Sequence, residues 1–251
     1  SLAMMIFKKR DIKTRFIISS TLLLILNLTL IVSGSFGESQ IFQPSKEHYK
    51  KSYKDLATRK LFGALTPLQI RTIDQQIEDL KEALKEGADV NAKENGEPAL
   101  IYASYYPIPE VLRLLLEAGA DVNIKSDYGR TALMTVLSHM AEPQEIVIML
   151  LNHGARLNEK DNQGNTALAF AGGCDVSTLE LLFNRGADIK DGGDEVLVNA
   201  VSYHNVPAIQ YLLKKGEEKG FKFTALDRAL FEAVGRKDIT IVLELLGHGA
   251  N

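Results

Sequence analysis

"LLLEAGADVNIKSDYGRTAL", Leu114–Leu133, is the stretch whose reading decides the fold. A leucine run at helical spacing ends on Gly-Ala-Asp, crosses a polar turn and restarts at Thr-Ala-Leu. Glycine can take the left-handed conformation that closes a helix without a Cβ penalty. Asp, Asn and Gly favour a hairpin-like turn after it. A threonine ahead of an apolar restart can cap free backbone N–H groups. Nearly the same phrase recurs as "ALKEGADVNAKENGEPAL", "LLNHGARLNEKDNQGNTAL" and "LLFNRGADIKDGGDEVL". The closing glycines fall at Gly87, Gly119, Gly154, Gly186, Gly216 and Gly249, separated by 32, 35, 32, 30 and 33 residues. Each period holds two short helices. Such a unit cannot bury both of its faces alone, so it needs neighbours.

This period and these phrases resemble the ankyrin repeat. The residues that carry the resemblance are "GADVN" at 87–91 and 119–123, "GARLN" at 154–158, "GADIK" at 186–190, "GHGAN" at 247–251, "GRTAL" at 129–133 and "GNTAL" at 164–168. The family pattern puts a Thr 21 residues before the closing Gly, and Thr66 stands there for Gly87; Pro98, Glu195 and Arg228 hold the slot for Gly119, Gly216 and Gly249. Thr131 and Thr166 are displaced, because the third unit carries two extra residues around "SHMAEP" and the fourth lacks one near "GGCDV". The resemblance implies an all-α solenoid of six helix-turn-helix units with hairpin-like turns, at 64–96, 97–128, 129–163, 164–193, 194–226 and 227–251. Small residues such as Ala132 and Ala167 open the first helices, and leucine pairs such as Leu150-Leu151 and Leu245-Leu246 fill the second.

Ahead of the array, Phe16 to Val32 run without a charge; Lys8, Lys9, Arg10, Lys13 and Arg15 precede them, and "SGSFGES" comes after. A basic start, an apolar stretch and a small-residue exit make a signal peptide or a signal anchor over 1–37. Seventeen residues are few for a span of about 30 Å, which favours cleavage near Gly34 or Gly37. Either way the basic flank stays in the cytoplasm and the rest crosses the membrane. The expected location is extracytoplasmic, periplasmic or secreted, with the membrane touched only through an uncleaved N-terminal segment. Residues 38–63 read as a polar spacer, and the stripe Tyr53, Leu56, Ala57, Leu61, Ala64 makes its second half a helix packed on the first repeat.

Beyond residue 37 the chain has 24 bases and 31 acids. An acidic remainder without a basic block argues against a nucleic-acid partner. A single cysteine, Cys174, excludes an internal disulfide and a cysteine-rich zinc site. It reads as a structural thiol. His153 and His248 precede closing glycines, where a cation complements the helix dipole. No glycine-rich loop ends in Lys-Ser/Thr for phosphate. The reading is therefore no enzyme, no cofactor and no metal.

In the ankyrin family the variable positions are the turn tips and the ends of the first helices, and these line a concave binding groove. The resemblance places Tyr105, Tyr106, His139, Tyr203 and His204 at helix ends, and Tyr128, Arg130 and Gln163 at the tips. Tyrosine suits a binding surface because its ring adds contact area at small entropic cost. The implied function is a monomeric scaffold, exported across the membrane in the manner of some bacterial ankyrin proteins, that binds another protein in its groove, for example to protect or neutralise an envelope protein or a toxin. The alternative is a targeting module of an effector or enzyme accessory whose active domain lies beyond residue 251.

Overall fold

The computed structural model describes residues 46–65 and 72–251, with side chains from Asp55 onward. The apolar stretch 16–32 and Thr66 lie outside the described residues. No helix among those described is long and apolar enough to cross a membrane.

The array is a succession of antiparallel helix pairs. It starts with α1 (Lys46–Leu65) and α2 (Ile73–Lys85), then α3 (Ala99–Ser104) and α4 (Pro109–Glu117), then α5 (Ala132–His139) and α6 (Gln144–Asn152). A 3₁₀ helix (Ala167–Gly173) pairs with α7 (Val176–Asn184); α8 (Gly193–Ser202) pairs with α9 (Val206–Lys219), and α10 (Leu226–Gly235) with α11 (Ile239–Gly247). One short antiparallel ladder, β1 (Lys93–Glu94) with β2 (Glu97–Pro98), builds the first turn. Its tip, Asn95-Gly96, has positive φ at both residues, as a two-residue hairpin requires.

One core of buried side chains runs from Leu61 to Ala250. The residue four before each closing glycine is fully buried: Ala83, Leu115, Leu150, Leu182 and Leu245, joined by Leu212 in the fifth unit. Small first-helix residues are buried as well, among them Ala99, Ala132, Ala167, Ala200 and Ala229. The second half of α1 packs in front of the first turn. Lys60 reaches Glu82 of α2 and Glu86 at its C-terminal cap, Thr58 accepts the Asp89 N–H at 2.9 Å, and the Phe62 ring meets Tyr102 edge-on.

The asparagine of each "GADVN" phrase joins one unit to the next. Asn91 accepts the Asp121 N–H at 2.8 Å and donates to the Gly119 carbonyl at 3.3 Å. Asn123 does the same with Arg156 and Gly154, at 2.9 and 3.0 Å, and Asn158 donates to Gly186 at 3.4 Å. Lys190 replaces the asparagine in the next copy, and the linking role passes to Asp194, which accepts the Thr224 and Ala225 N–H groups at 2.8 and 3.0 Å.

Two expectations change. Gly216 does not close a helix: α9 runs through it to Lys219, and Gly220, at φ +62°, closes it instead. A Cβ on Gly216 would lie 2.5 Å from the Phe223 ring, so glycine there makes room for packing. The other five glycines do close their units, with φ between +86° and +99°. Thr166 does not cap the helix after it. Its hydroxyl donates to the Asp191 carbonyl at 2.8 Å, so it ties the fourth unit to the loop before the fifth. Thr131 does cap α5, accepting from the Met134 N–H at 3.4 Å.

Candidate functional site

The first helices end in register, and the residues read as partner-binding gather there and on the turn tips. Tyr105 follows the last residue of α3, His139 is the last of α5, and Tyr203 follows the last of α8. Stacking carries the ends of neighbouring units together. The Tyr105 and His139 rings meet edge-on, with centroids 5.1 Å apart. His139 is oriented from its own helix, its Nδ1 lying 2.9 Å from the Thr135 carbonyl. Tyr203 lies over Gly173 at the end of the 3₁₀ helix, where a Cβ would stand 3.1 Å from its ring.

Three tyrosines project into solvent: Tyr106, Tyr128 and Tyr203 are 74%, 72% and 59% exposed. Tyr106 also borders a small cavity of about 50 Å³ lined by Leu65, Tyr102, Ala103, Ile108 and Val111. Tyr128 sits at the second turn tip, and its carbonyl accepts the Asn162 N–H from the next tip at 3.1 Å. Successive tips are tied in the same way, Gly96 accepting from Asp127 at 3.0 Å. Ion pairs between neighbouring turns reinforce them: Lys93 with Asp127 and Lys160 with Asp191.

Arg130 and Gln163 differ in what they do. The Arg130 guanidinium lies 4.8 Å from the centroid of Phe170, on the 3₁₀ helix of the next unit. Such stacking is worth about 0.5–1 kcal/mol at an exposed site, and Arg130 stays half-buried rather than enclosed. Gln163 is an exposed tip residue whose carbonyl takes a 3.4 Å bond from Asn165. His204 is drawn out of the groove set: in left-handed backbone, its Nδ1 lies 3.0 Å from Asp238 Oδ2. That bond, with the Ile241 N–H, holds the Asp238 carboxyl below its usual range. Asp238 caps α11, so His204 links the fifth and sixth units.

Glu97 joins this group although nothing in the repeat pattern selects it. The Tyr105 hydroxyl donates to its Oε1 at 3.4 Å, while Oε2 is buried and has no hydrogen-bond partner among the described residues. Burial pushes the Glu97 carboxyl above its usual range, against the pull of Tyr105 and Arg130. Burial and the nearby carboxylate raise the Tyr105 hydroxyl too. No local signal marks Glu97. Arg130, Asn165, Asp194 and Asp227 hold the same place in the later units, so a polar residue there is ordinary. Phe170 has no signal either, since it belongs to neither a tip nor a helix end.

The rest of the described residues offer little to reaction chemistry. Cys174 is buried and its thiol is pushed up to about 12 by burial and by Asp175. Its Sγ lies 3.4 Å from the Leu137 and Met140 carbonyls. His153 and His248 turn back on their own helices, with Nδ1 2.8 Å from the Met149 carbonyl and 2.9 Å from that of Glu244.

A family model described as "Ankyrin repeats (3 copies)" matches residues 37–126 and 120–192. The match starts ahead of residue 64 and so takes in α1. The chain is also 32% identical over 141 residues to the human protein "Neurogenic locus notch homolog protein 1" (Homo sapiens). That alignment covers 55% of this chain and 6% of the relative's length, so the chain corresponds to a small part of that protein. Ankyrin repeats generally mediate protein–protein interaction, and the family is typically a non-catalytic scaffold. The matched segments cover more than half of the sequence, and their helix pairs, closing glycines and turns stack as this reading requires: the chain belongs to the ankyrin repeat family.

Proposed function

We propose that this protein is an exported, non-catalytic scaffold that holds another protein against the ends of its first helices and its turn tips. The observation that carries the reading is the placement of Tyr106, Tyr128 and Tyr203, large rings left in solvent at the edges of stacked units. Interfaces draw most of their energy from a few such anchors. Arg130 over Phe170 and Tyr105 against His139 add packed contacts between neighbouring units at the same helix ends and tips. Export rests on the basic, apolar and small-residue order of residues 8–37. A partner in the cell envelope, protected or neutralised by being held, suits that location.

The test is capture of the partner from an envelope extract, then titration of the purified pair. Tyr106→Ala and Tyr203→Ala are each expected to weaken binding by about 1–3 kcal/mol. Arg113, paired with Glu110 on an outer face, and Lys214 are expected to change it by less than about 0.5 kcal/mol when replaced by Ala. Costly outer charges with neutral tyrosines would move the binding face to the other side of the array.

A further inference from the structure

The first turn tip is built from the one Asn-Gly pair in the sequence, Asn95-Gly96. The fold asks for such a pair. A two-residue tip needs left-handed backbone at both positions, here φ +52° and +82°, and asparagine is among the few side chains that accept it. Gly96 must also lack a Cβ, which would stand 2.4 Å from the Asp127 carboxylate. The geometry thus selects a dipeptide whose side-chain amide is labile. With no side chain on Gly96, its backbone nitrogen can approach the Asn95 side-chain carbonyl without hindrance.

Both reacting groups are disengaged. Asn95 is exposed. Neither its side-chain amide nor the Gly96 N–H makes a hydrogen bond among the described residues. Asn91 and Asn123, by contrast, are fixed through both the oxygen and the nitrogen of their amides. Asp191-Gly192 could cyclise in the same way, but it is tied: the Gly192 N–H donates to the Ile189 carbonyl, and the Asp191 carboxylate pairs with Lys160. The Asn95-Gly96 tip is held by a ladder of two residues a strand. So short a hairpin has little stability of its own, and the opening that brings the Gly96 nitrogen onto Asn95 Cγ is a local one.

We propose that Asn95-Gly96 is a site of spontaneous deamidation, and that the change cuts the tie between the first and second turn tips. The Gly96 nitrogen attacks Asn95 Cγ. A C–N bond forms, the bond from Cγ to the amide nitrogen breaks, and the Gly96 proton leaves with that nitrogen as ammonia. Water then opens the five-membered imide at either of its two carbonyls, returning a proton to the Gly96 nitrogen and leaving a carboxylic acid that ionises. No electrons are exchanged, and water is the only co-reactant. Opening at the backbone carbonyl sends the chain through Cβ and Cγ and adds one carbon to the tip. Loop length sets hairpin register, so Glu94 no longer faces Glu97. The Gly96 carbonyl is drawn off the Asp127 N–H that it accepts at 3.0 Å. The new charge enters beside the Asp127 carboxylate, which already shares Lys93. Both changes loosen the second tip, which carries Tyr128. The site rests on the chemistry of the tip and does not depend on partner binding.

The experiment ages the full chain, purified in a mild detergent, at physiological temperature and at neutral and mildly alkaline pH. Digests are read by mass spectrometry for exchange of the amide NH₂ for OH. The β-linked product is read by labelling with an isoaspartyl methyltransferase and S-adenosylmethionine. A sample in urea gives the rate without the fold. Asn95 is expected to convert about tenfold faster than any other asparagine, because only glycine follows without a Cβ. The rate should rise with pH, since the attacking nitrogen must lose its proton, and should lie within about tenfold of the rate in urea. Amide exchange over 124–130 should quicken as product accumulates. It should keep its starting rate in an aged Asn95→Gly chain, where glycine preserves the left-handed tip. Circular dichroism reports that both chains are folded. An Asn95 that converts in urea yet stays intact in the folded chain overturns the site, as does conversion with no preference over the other asparagines. Conversion that leaves exchange over 124–130 unchanged overturns the cut tie, and so does equal quickening in the aged Asn95→Gly chain.

Discussion

Glu97 is held in place by the same units that present the tyrosines, and it is held at a cost. One of its oxygens has no hydrogen-bond partner among the described residues, and burial raises its carboxyl above the usual range. A group whose folded-state pKa is raised favours the native state below its unfolded pKa and loses that contribution as pH rises through the folded value. At neutral pH the charged carboxylate thus opposes folding. Glu97→Gln keeps an acceptor for the Tyr105 hydroxyl and removes the charge. The variant is expected to melt slightly higher than the parent at pH 7, with the difference shrinking towards pH 4. A difference of zero or of opposite sign at pH 7, by calorimetry, would show that Glu97 is adequately compensated in the native state. If it does melt higher, the residue opposes stability at the proposed groove, a pattern common at functional positions.

At the scale of elements, the 3₁₀ helix Ala167–Gly173 is the departure that organises its surroundings. Missing one residue, the fourth unit replaces an α-helix with a tighter turn. The fifth unit holds it from outside. Asn199 donates to the Ala169 carbonyl at 2.8 Å, and Asn205 donates to Gly172 and Cys174 at 3.2 and 2.7 Å. Helix propensity alone would make Gly172→Ala stabilising by about 1 kcal/mol. A Cβ there would stand 2.5 Å from the Ala200 backbone nitrogen, and overpacking against backbone costs about 1–3 kcal/mol or more. The close approach wins, so Gly172→Ala should destabilise, and Asn205→Ala should speed amide exchange over 169–179. An unchanged or higher urea midpoint for Gly172→Ala would refute this. The glycines show what is legible in a sequence. Gly87, Gly119, Gly154, Gly186 and Gly249 can be read because a helix-ending glycine has one local cause, its left-handed backbone. Gly172 and Gly216 cannot, since they are glycine for the sake of neighbours distant in sequence or held by the fold: Ala200 for one, Phe223 for the other. Thr166 is opaque for the same reason, its partner Asp191 lying 25 residues on, and Glu97 because its burial follows from packing and not from a local pattern. The tip and helix-end positions follow from the repeat register, whereas which of them pair, as Tyr105 does with His139, depends on the stacking itself.

At the scale of the whole molecule, the array and the N-terminal stretch make separate demands. A stack of helix pairs with a shared core from Leu61 to Ala250 folds by local contacts and lengthens by nearest neighbours. Such an array needs no disulfide, and a single buried thiol is safe from an oxidising surrounding because the thiolate is the reactive form. The fold therefore tolerates either side of a membrane, and the N-terminal stretch is left to decide. Fusing residues 1–60 to a reporter active only outside the cytoplasm is expected to give activity, since five bases ahead of an uncharged run of seventeen residues are the pattern of a segment that sends the downstream chain across. Replacing Lys8, Lys9, Arg10, Lys13 and Arg15 by Glu should reduce that activity by weakening the orientation signal. Sequencing the exported product separates cleavage near Gly34 or Gly37 from an intact anchor. An expressed but silent fusion would confine the array to the cytoplasm, and the partner would then have to be sought there, with the tyrosine variants as the same measure of the groove.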